Sequence, residues 1–290
     1  MKEGTQNMMV YGLLLVIASA FTHALWNLFA KRSLHKESFL FSLHAVATVL
    51  FFPFFIRDLI TMTWTWGHAL LLIVSFLLQG TYLYLVSQAY KAGELSQVYP
   101  MMRGTAALLV PLVSVSLYGE SMSAIGWVGW SLIVGGLFGL SGMLSVKQKD
   151  KSWWIALALT TSVGMCTAAY TLTDKAVIEF FSPLGLIEIS NIGAVIFLAS
   201  AVKRAGLLRR EWRANWSTIG LGAVISPGSY LLFLFAMTLG PLAHLAPIRE
   251  FSIVIGTLLG YWILKEKQGK KRLVASTVVA GGMALISMWG

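Results

Sequence analysis

Arg103, Arg249 and Glu250 stand in the middle of long apolar stretches of this 290-residue chain. A charge near the centre of a bilayer costs about 2.5–3.5 kcal/mol on insertion scales, so each needs a reason. Two guanidinium groups facing one cavity would grip a carboxylate, phosphate or phosphonate, each through parallel hydrogen bonds. Glu250 is a poor partner for Arg249, because neighbours on a helix point about 100° apart. A cross-helix pair with Arg103 is open to it. The alternative for each arginine is a pair with a buried acid, or a side chain that snorkels to a headgroup.

More polar groups share helix faces with these charges. His23, Asn27 and Ala30 form a narrow stripe beside Trp26, and Thr167, Thr171 and Asp174 form one beside Tyr170. Tyr99 lies on the face of Arg103, with Gln97 to one side; Gln97 corresponds by position to His244. Tyr82 and Tyr230 add aromatic rings that could line a pocket. The candidate binding set is therefore Arg103, Arg249, Glu250, His23, Asn27, Tyr99, Gln97, Tyr82, Tyr230, Tyr170, His244 and Trp26. His23 and Glu250 are the candidates for carrying a proton, since imidazole and carboxyl groups exchange one most readily. Polar groups on apolar helices also hold helices together, and aromatics also belt the membrane interface. His44 and Cys166 read as packing residues. Glu188 and Asn191, near the start of their stretch, read as solvated.

The elements that must hold these residues are membrane helices. Hydrophobic residues make up 57% of the chain and charged ones only 12%, which excludes an ordinary soluble domain. A spanning helix needs about 20 apolar residues. Ten stretches qualify: 8–30, 38–56, 67–90, 95–117, 123–145, 153–173, 184–202, 215–238, 242–264 and 272–289. The first carries His23 and Asn27 and no clear cleavage site, so it is expected to stay attached. The single cysteine excludes a disulfide framework. No Walker-type phosphate loop, H-E-x-x-H or G-x-S-x-G string occurs. The expectation is no enzyme activity, no metal and no cofactor.

The chain is also written twice. Gly93 and Pro100 recur 147 positions on as Gly240 and Pro247, and Arg103 and Glu120 recur 146 on as Arg249 and Glu266. Five stretches per copy is an odd number, which inverts the second copy in the bilayer, a common architecture of secondary transporters. The expected fold is an all-α membrane protein of ten transmembrane helices, two inverted five-helix repeats (1–146 and 152–290) around a central cavity. Odd-numbered connections carry 17 lysines and arginines, against three on the other side. The positive-inside rule then places both termini outside the cytoplasm. Because the basic residues sit in short loops, the net charge of +10 does not indicate nucleic acid.

The stretch Ala89–Glu120, AYKAGELSQVYPMMRGTAALLVPLVSVSLYGE, resembles the fourth-helix signature of EamA-type drug/metabolite transporters. HALWNLFAKRS (His23–Ser33) is similar to a subgroup of that family, and Leu239–Glu266 repeats the signature loosely. The resemblance implies a cavity lined by helices one, three, four, six, eight and nine. It also implies a carrier in the inner or plasma membrane, often an exporter of amino acids or related metabolites. The charged residues depart from the neutral cavities of many members. The expected function is alternating-access transport of a small anionic or zwitterionic metabolite, with protons as a candidate coupling ion. A flippase for a lipid-linked phosphate headgroup is the alternative. The expected partners are that solute and the lipid bilayer, and the expected assembly is a monomer or loose dimer.

Overall fold

Hydropathy of this kind builds helices, and helices are what the computed structural model contains; it describes residues 2–92, 95–142, 149–255 and 270–290. Ten helices run along the described residues. They are α1 (Lys2–Arg32), α2 (Lys36–Thr61), α3 (Trp66–Ala92), α4 (Leu95–Tyr118), α5 (Ala124–Ser141), α6 (Lys151–Val177), α7 (Pro183–Ala205), α8 (Leu208–Met237), α9 (Leu242–Arg249) and α10 (Lys270–Trp289). Of these, α1 to α8 are long and apolar enough to cross a membrane. The eight-residue α9 is too short, because the chain turns at Glu250 before residues 251–255 resume a helix. The apolar part of α10, Val274–Trp289, also falls short of spanning length.

Local sequence sets the helix ends. Ser123, Asp150 and Ser182 accept bonds from the amides of Gly126, Trp153 and Gly185, and so cap α5, α6 and α7. The Trp153 amide and the Ser152 hydroxyl hold the exposed Asp150 carboxyl below its usual range. Pro183 opens α7, where its missing N–H costs nothing. Gly206 closes the same helix at φ 65°, a conformation in which other residues are strained. α8 breaks at Asn215 (φ −129°), where the apolar stretch read from the sequence begins. Its basic first turns precede that break.

The helices pair in a pattern that repeats. α1 packs on α8 as α6 packs on α3, and α2 on α8 as α7 on α3. α2 also meets α7, and α5 meets α10. An added Cβ at Gly129 would stand 2.6 Å from the Gly282 carbonyl oxygen, and Gly282 is as tight against Gly129. These glycines, with Gly136, let α5 and α10 touch backbone to backbone. Gly135 and Gly139, whose spacing is that of a close-packing motif, face open space. The similar pair Gly256 and Gly260 lies outside the described residues.

The outer surface is apolar, with Val49 76% and Ile60 77% exposed, which suits hydrocarbon and not water. Two sequence expectations fail on the α2–α7 contact. Glu188 and Asn191 are fully buried. His44 Nδ1 lies 2.9 Å from Asn191 Oδ1, and Asn191 donates to Glu188 at 3.1 Å. The face of α7 that carries them turns inward onto α2, and helical periodicity alone did not give that rotation. His44 is thus a hydrogen-bonding group within the interface.

Candidate functional site

Arg103 projects from α4 and Glu250 from the turn that ends α9. Arg103 Nε and Nη2 donate to the two carboxylate oxygens of Glu250 at 2.7 and 2.6 Å. Both residues are at least 95% buried. This fork-to-fork geometry is the strong form of the pair, and it neutralises both charges. The cross-helix pair that the sequence leaves open to Glu250 is the one formed, and it occupies Nε and Nη2 of Arg103.

Arg249 is different. Pro247 lacks an N–H, and the backbone after it tightens, with the Glu250 amide bonding the Pro247 carbonyl at 3.1 Å. The turn sends consecutive side chains apart, Glu250 to Arg103 and Arg249 to α8. There its guanidinium carbon lies 4.9 Å from the Tyr230 ring centre and 4.5 Å from that of Phe233. Arg249 is 5% exposed, and its Nε has no hydrogen-bond partner among the described residues. No acidic side chain pairs with it there. A buried guanidinium held only by ring faces retains donors for a ligand.

Two small cavities meet at this centre. One, of about 30 Å³, runs from Arg103 past His23, Trp26, Asn27, Tyr82 and Tyr99 to Lys36, at the end of the bundle where α1 joins α2. The other, of about 10 Å³, is lined by Arg103, Arg249, Glu250, Thr171 and Phe233. Arg103 and Thr167 border both. A single water needs about 10–15 Å³, so neither cavity admits an organic molecule without helix movement. Gly164 brings α6 against α4 here: an added Cβ would lie 2.7 Å from the Met102 carbonyl oxygen. A larger groove of about 360 Å³ between α2, α3 and α7 is lined only by apolar side chains and reaches neither arginine.

The remaining candidates divide. Trp26 donates its indole N–H to His23 Nδ1 at 3.1 Å, which leaves the ring proton on Nε2. Asn27 bonds back to the His23 carbonyl at 2.8 Å. Tyr82, Tyr170 and Tyr230 stack edge to face in a row from α3 through α6 to α8, with centroids 5.3 and 5.7 Å apart. His244 is not at the centre. It sits in the first turn of α9, with Nε2 2.9 Å from the Ser121 carbonyl oxygen. The side chain of Gln97 lies outside those described.

Asp174 and Glu120 are functional groups beyond the candidate binding set. Asp174 is fully buried and is bonded by Ser75 at 2.6 Å, by Gln79 at 3.0 Å and by the Tyr230 hydroxyl. Its place on the Thr167–Thr171 stripe was the available signal, but a span ended at 173 leaves it in a loop. Glu120 accepts the amides of Leu242 and Ala243 at 2.8 and 2.7 Å and so caps α9, whose own preceding residue, Pro241, supplies no side-chain cap.

Against known proteins, residues 152–288 match the EamA-like transporter family. A Lactiplantibacillus plantarum protein provisionally described as a sugar uptake protein is 23% identical over 209 residues, 69% of each chain. A solved crystal structure superposes with a TM-score of 0.72 at 13% identity, covering 98% of this chain and 99% of that one, and so shares the fold.

Proposed function

We propose that this chain, whose residues 152–288 belong to the EamA-like transporter family, is a secondary carrier. It moves a small polar metabolite bearing one acid group by alternating access. The observation that carries this reading is Arg249: a buried cation against two aromatic rings, with no acid partner among the described residues, in the lining of the central cavity. One free guanidinium matches one carboxylate or phosphate. Arg103 and Glu250, already neutralised by each other, hold α4 to α9 instead of binding solute.

The reading of residues 1–146 and 152–290 as inverted repeats draws support from the paired helix contacts. Two buried contacts between the copies add to that support: His44 with Asn191, and Arg103 with Glu250, the neighbour of its repeat counterpart Arg249. In the proposed orientation the Lys36 end of the first cavity faces the cytoplasm, where the basic loops lie. A carrier without ATP hydrolysis runs in whichever direction the coupled gradients drive it. Export by the family and uptake by the L. plantarum relative are therefore compatible with one mechanism.

A neutral sugar is the second reading, favoured by the row of tyrosines and by that relative's description. Thermal-shift measurements on the purified protein with amino acids, carboxylates, phosphorylated sugars and neutral sugars separate the two. An acid should stabilise the wild type and lose its effect in Arg249→Gln. Stabilisation by neutral sugars alone, unchanged in that variant, would overturn the acid reading.

A further inference from the structure

Asp174 is a carboxylate that the transport reading leaves unused, and its surroundings are unusual for a structural acid. It is fully buried inside an apolar bundle, yet every group bonded to it is neutral: Ser75 and Gln79 from α3, and Tyr230 from α8. The titratable and charged groups around it are few. From α8 comes Tyr230 itself, and from its own helix come Tyr170 and Lys175. The Lys175 ammonium is committed to the Met237 carbonyl at 2.6 Å. From α4 comes Tyr118, whose hydroxyl donates to the Leu172 carbonyl at 2.6 Å. Glu120 and Glu179 act on Tyr118 from farther out, and Arg249 lies behind the Tyr230 ring. Among the described residues no ammonium or guanidinium bonds the carboxylate. A buried charge with only neutral partners is costly, and taking up a proton removes that cost.

Its location gives the proton a route. Asp174 lies three residues before the end of α6, beneath the straps that close the α4–α5 end of the bundle. These straps are Glu120 on the α9 amides, His244 on Ser121, and Tyr118 on Leu172. While they hold, Asp174 is sealed from water. Parting them would open the acid to the solution on that side only.

We propose that Asp174 is a proton-binding site of the carrier, and that Tyr230 couples its charge to the solute cation Arg249. The proton half rests on the geometry of Asp174 alone. The coupling half rests on the carrier reading above. In the open state hydronium gives its proton to a carboxylate oxygen, leaving water and a neutral carboxyl group. Among the described residues, Tyr230 is the one side chain that bonds Asp174 and also faces the Arg249 guanidinium. When Asp174 is ionised its charge competes with a solute acid for the field of Arg249; protonation removes the competitor. Proton binding and acid binding then favour each other reciprocally, by roughly tenfold within the usual range for coupled sites.

The test needs no solute. Infrared difference spectra of the purified protein in lipid, recorded while pH is stepped, read the C=O stretch of a protonated carboxyl group. Carbon-13 labelling of aspartate side chains separates Asp174 from the glutamates. The expected result is an aspartate-derived band that appears and disappears reversibly, is absent in Asp174→Asn, and changes frequency in Tyr230→Phe, which lacks the bonded hydroxyl. Should Asp174→Asn fail to fold, the labelled wild type and Tyr230→Phe decide the matter. No aspartate-derived band at any pH where the protein stays folded would overturn the proposal, as would a band unmoved by Tyr230→Phe. A pH jump on solute-free proteoliposomes should also give a transient charge displacement that Asp174→Asn lowers to the level of empty liposomes. Persistence of the full transient would refute it. If the band behaves as expected and no acid binds at Arg249, the proton site stands and the carrier reading fails separately.

Discussion

Arg103 and Glu250 form a buried pair whose worth can be measured by a double-mutant cycle. The two hydrogen bonds are 2.7 and 2.6 Å, and the side chains are 6% and 4% exposed. Removing one member of such a pair leaves an uncompensated charge in a medium of low dielectric, at a cost of about 3–5 kcal/mol. Replacing both by apolar residues of similar volume removes both desolvation penalties and is often close to neutral. Arg103→Met and Glu250→Leu should therefore each destabilise the protein by about 3 kcal/mol or more, and the double variant by clearly less than either. Reversible unfolding in bicelles, followed by steric trapping, supplies the three free energies. Arg249→Met is the internal control, since it leaves no partner charge unpaired and forfeits ring contacts worth about 2 kcal/mol. The reasoning is refuted if the two single effects add to the double effect within about 0.5 kcal/mol, the ordinary limit for independent sites. It is equally refuted if Arg249→Met costs as much as Arg103→Met.

Other outcomes follow from the same geometry. Glu120→Ala removes the carboxylate that caps α9 and should lower stability by about 1–2 kcal/mol, with Glu120→Gln recovering part of it in the same unfolding assay. Gly129→Ala and Gly282→Ala drive a methyl group into the opposing backbone and should each cost about 1–3 kcal/mol, whereas Gly135→Ala and Gly139→Ala, which face open space, should be neutral or slightly stabilising in a thermal melt. Lysine at Arg249 keeps the charge but not the planar fork, so it should retain weak acid binding by thermal shift, far below that of the native residue. Alkaline phosphatase fused after Gly290 should be active in cells, because both termini are proposed to lie outside the cytoplasm; an inactive fusion beside a fluorescent C-terminal green fluorescent protein reverses the orientation.

Much of the fold was legible in the chain. Eight of the ten apolar runs coincide with α1 to α8, the helices of spanning length among the described residues, and His23, Trp26, Asn27, Tyr82, Tyr99, Arg103 and Arg249 line the two central cavities. What failed did so for identifiable reasons. Glu188 and Asn191 were misread because depth along α7 was judged without knowing which face meets α2. Gly135 and Gly139 have the right spacing on the wrong face. His244 was carried to the centre by its correspondence with Gln97, although α9 begins so late that its first turn lies at the bundle end. Asp174 fell one residue beyond a boundary drawn by hydropathy.

Sequence alone determined that this is a helical, multi-pass membrane protein, and it holds the recurring residues and basic loops from which the repeat and the orientation are proposed. These are properties of composition and spacing along one dimension, and the cost of exposing backbone to hydrocarbon leaves little other choice. Only the tertiary structure decided which arginine takes the Glu250 carboxylate. That choice depends on a turn at Glu250 and on the rotation of α4 about its axis, which together give both glutamate oxygens to Arg103 and leave Arg249 against two aromatic rings.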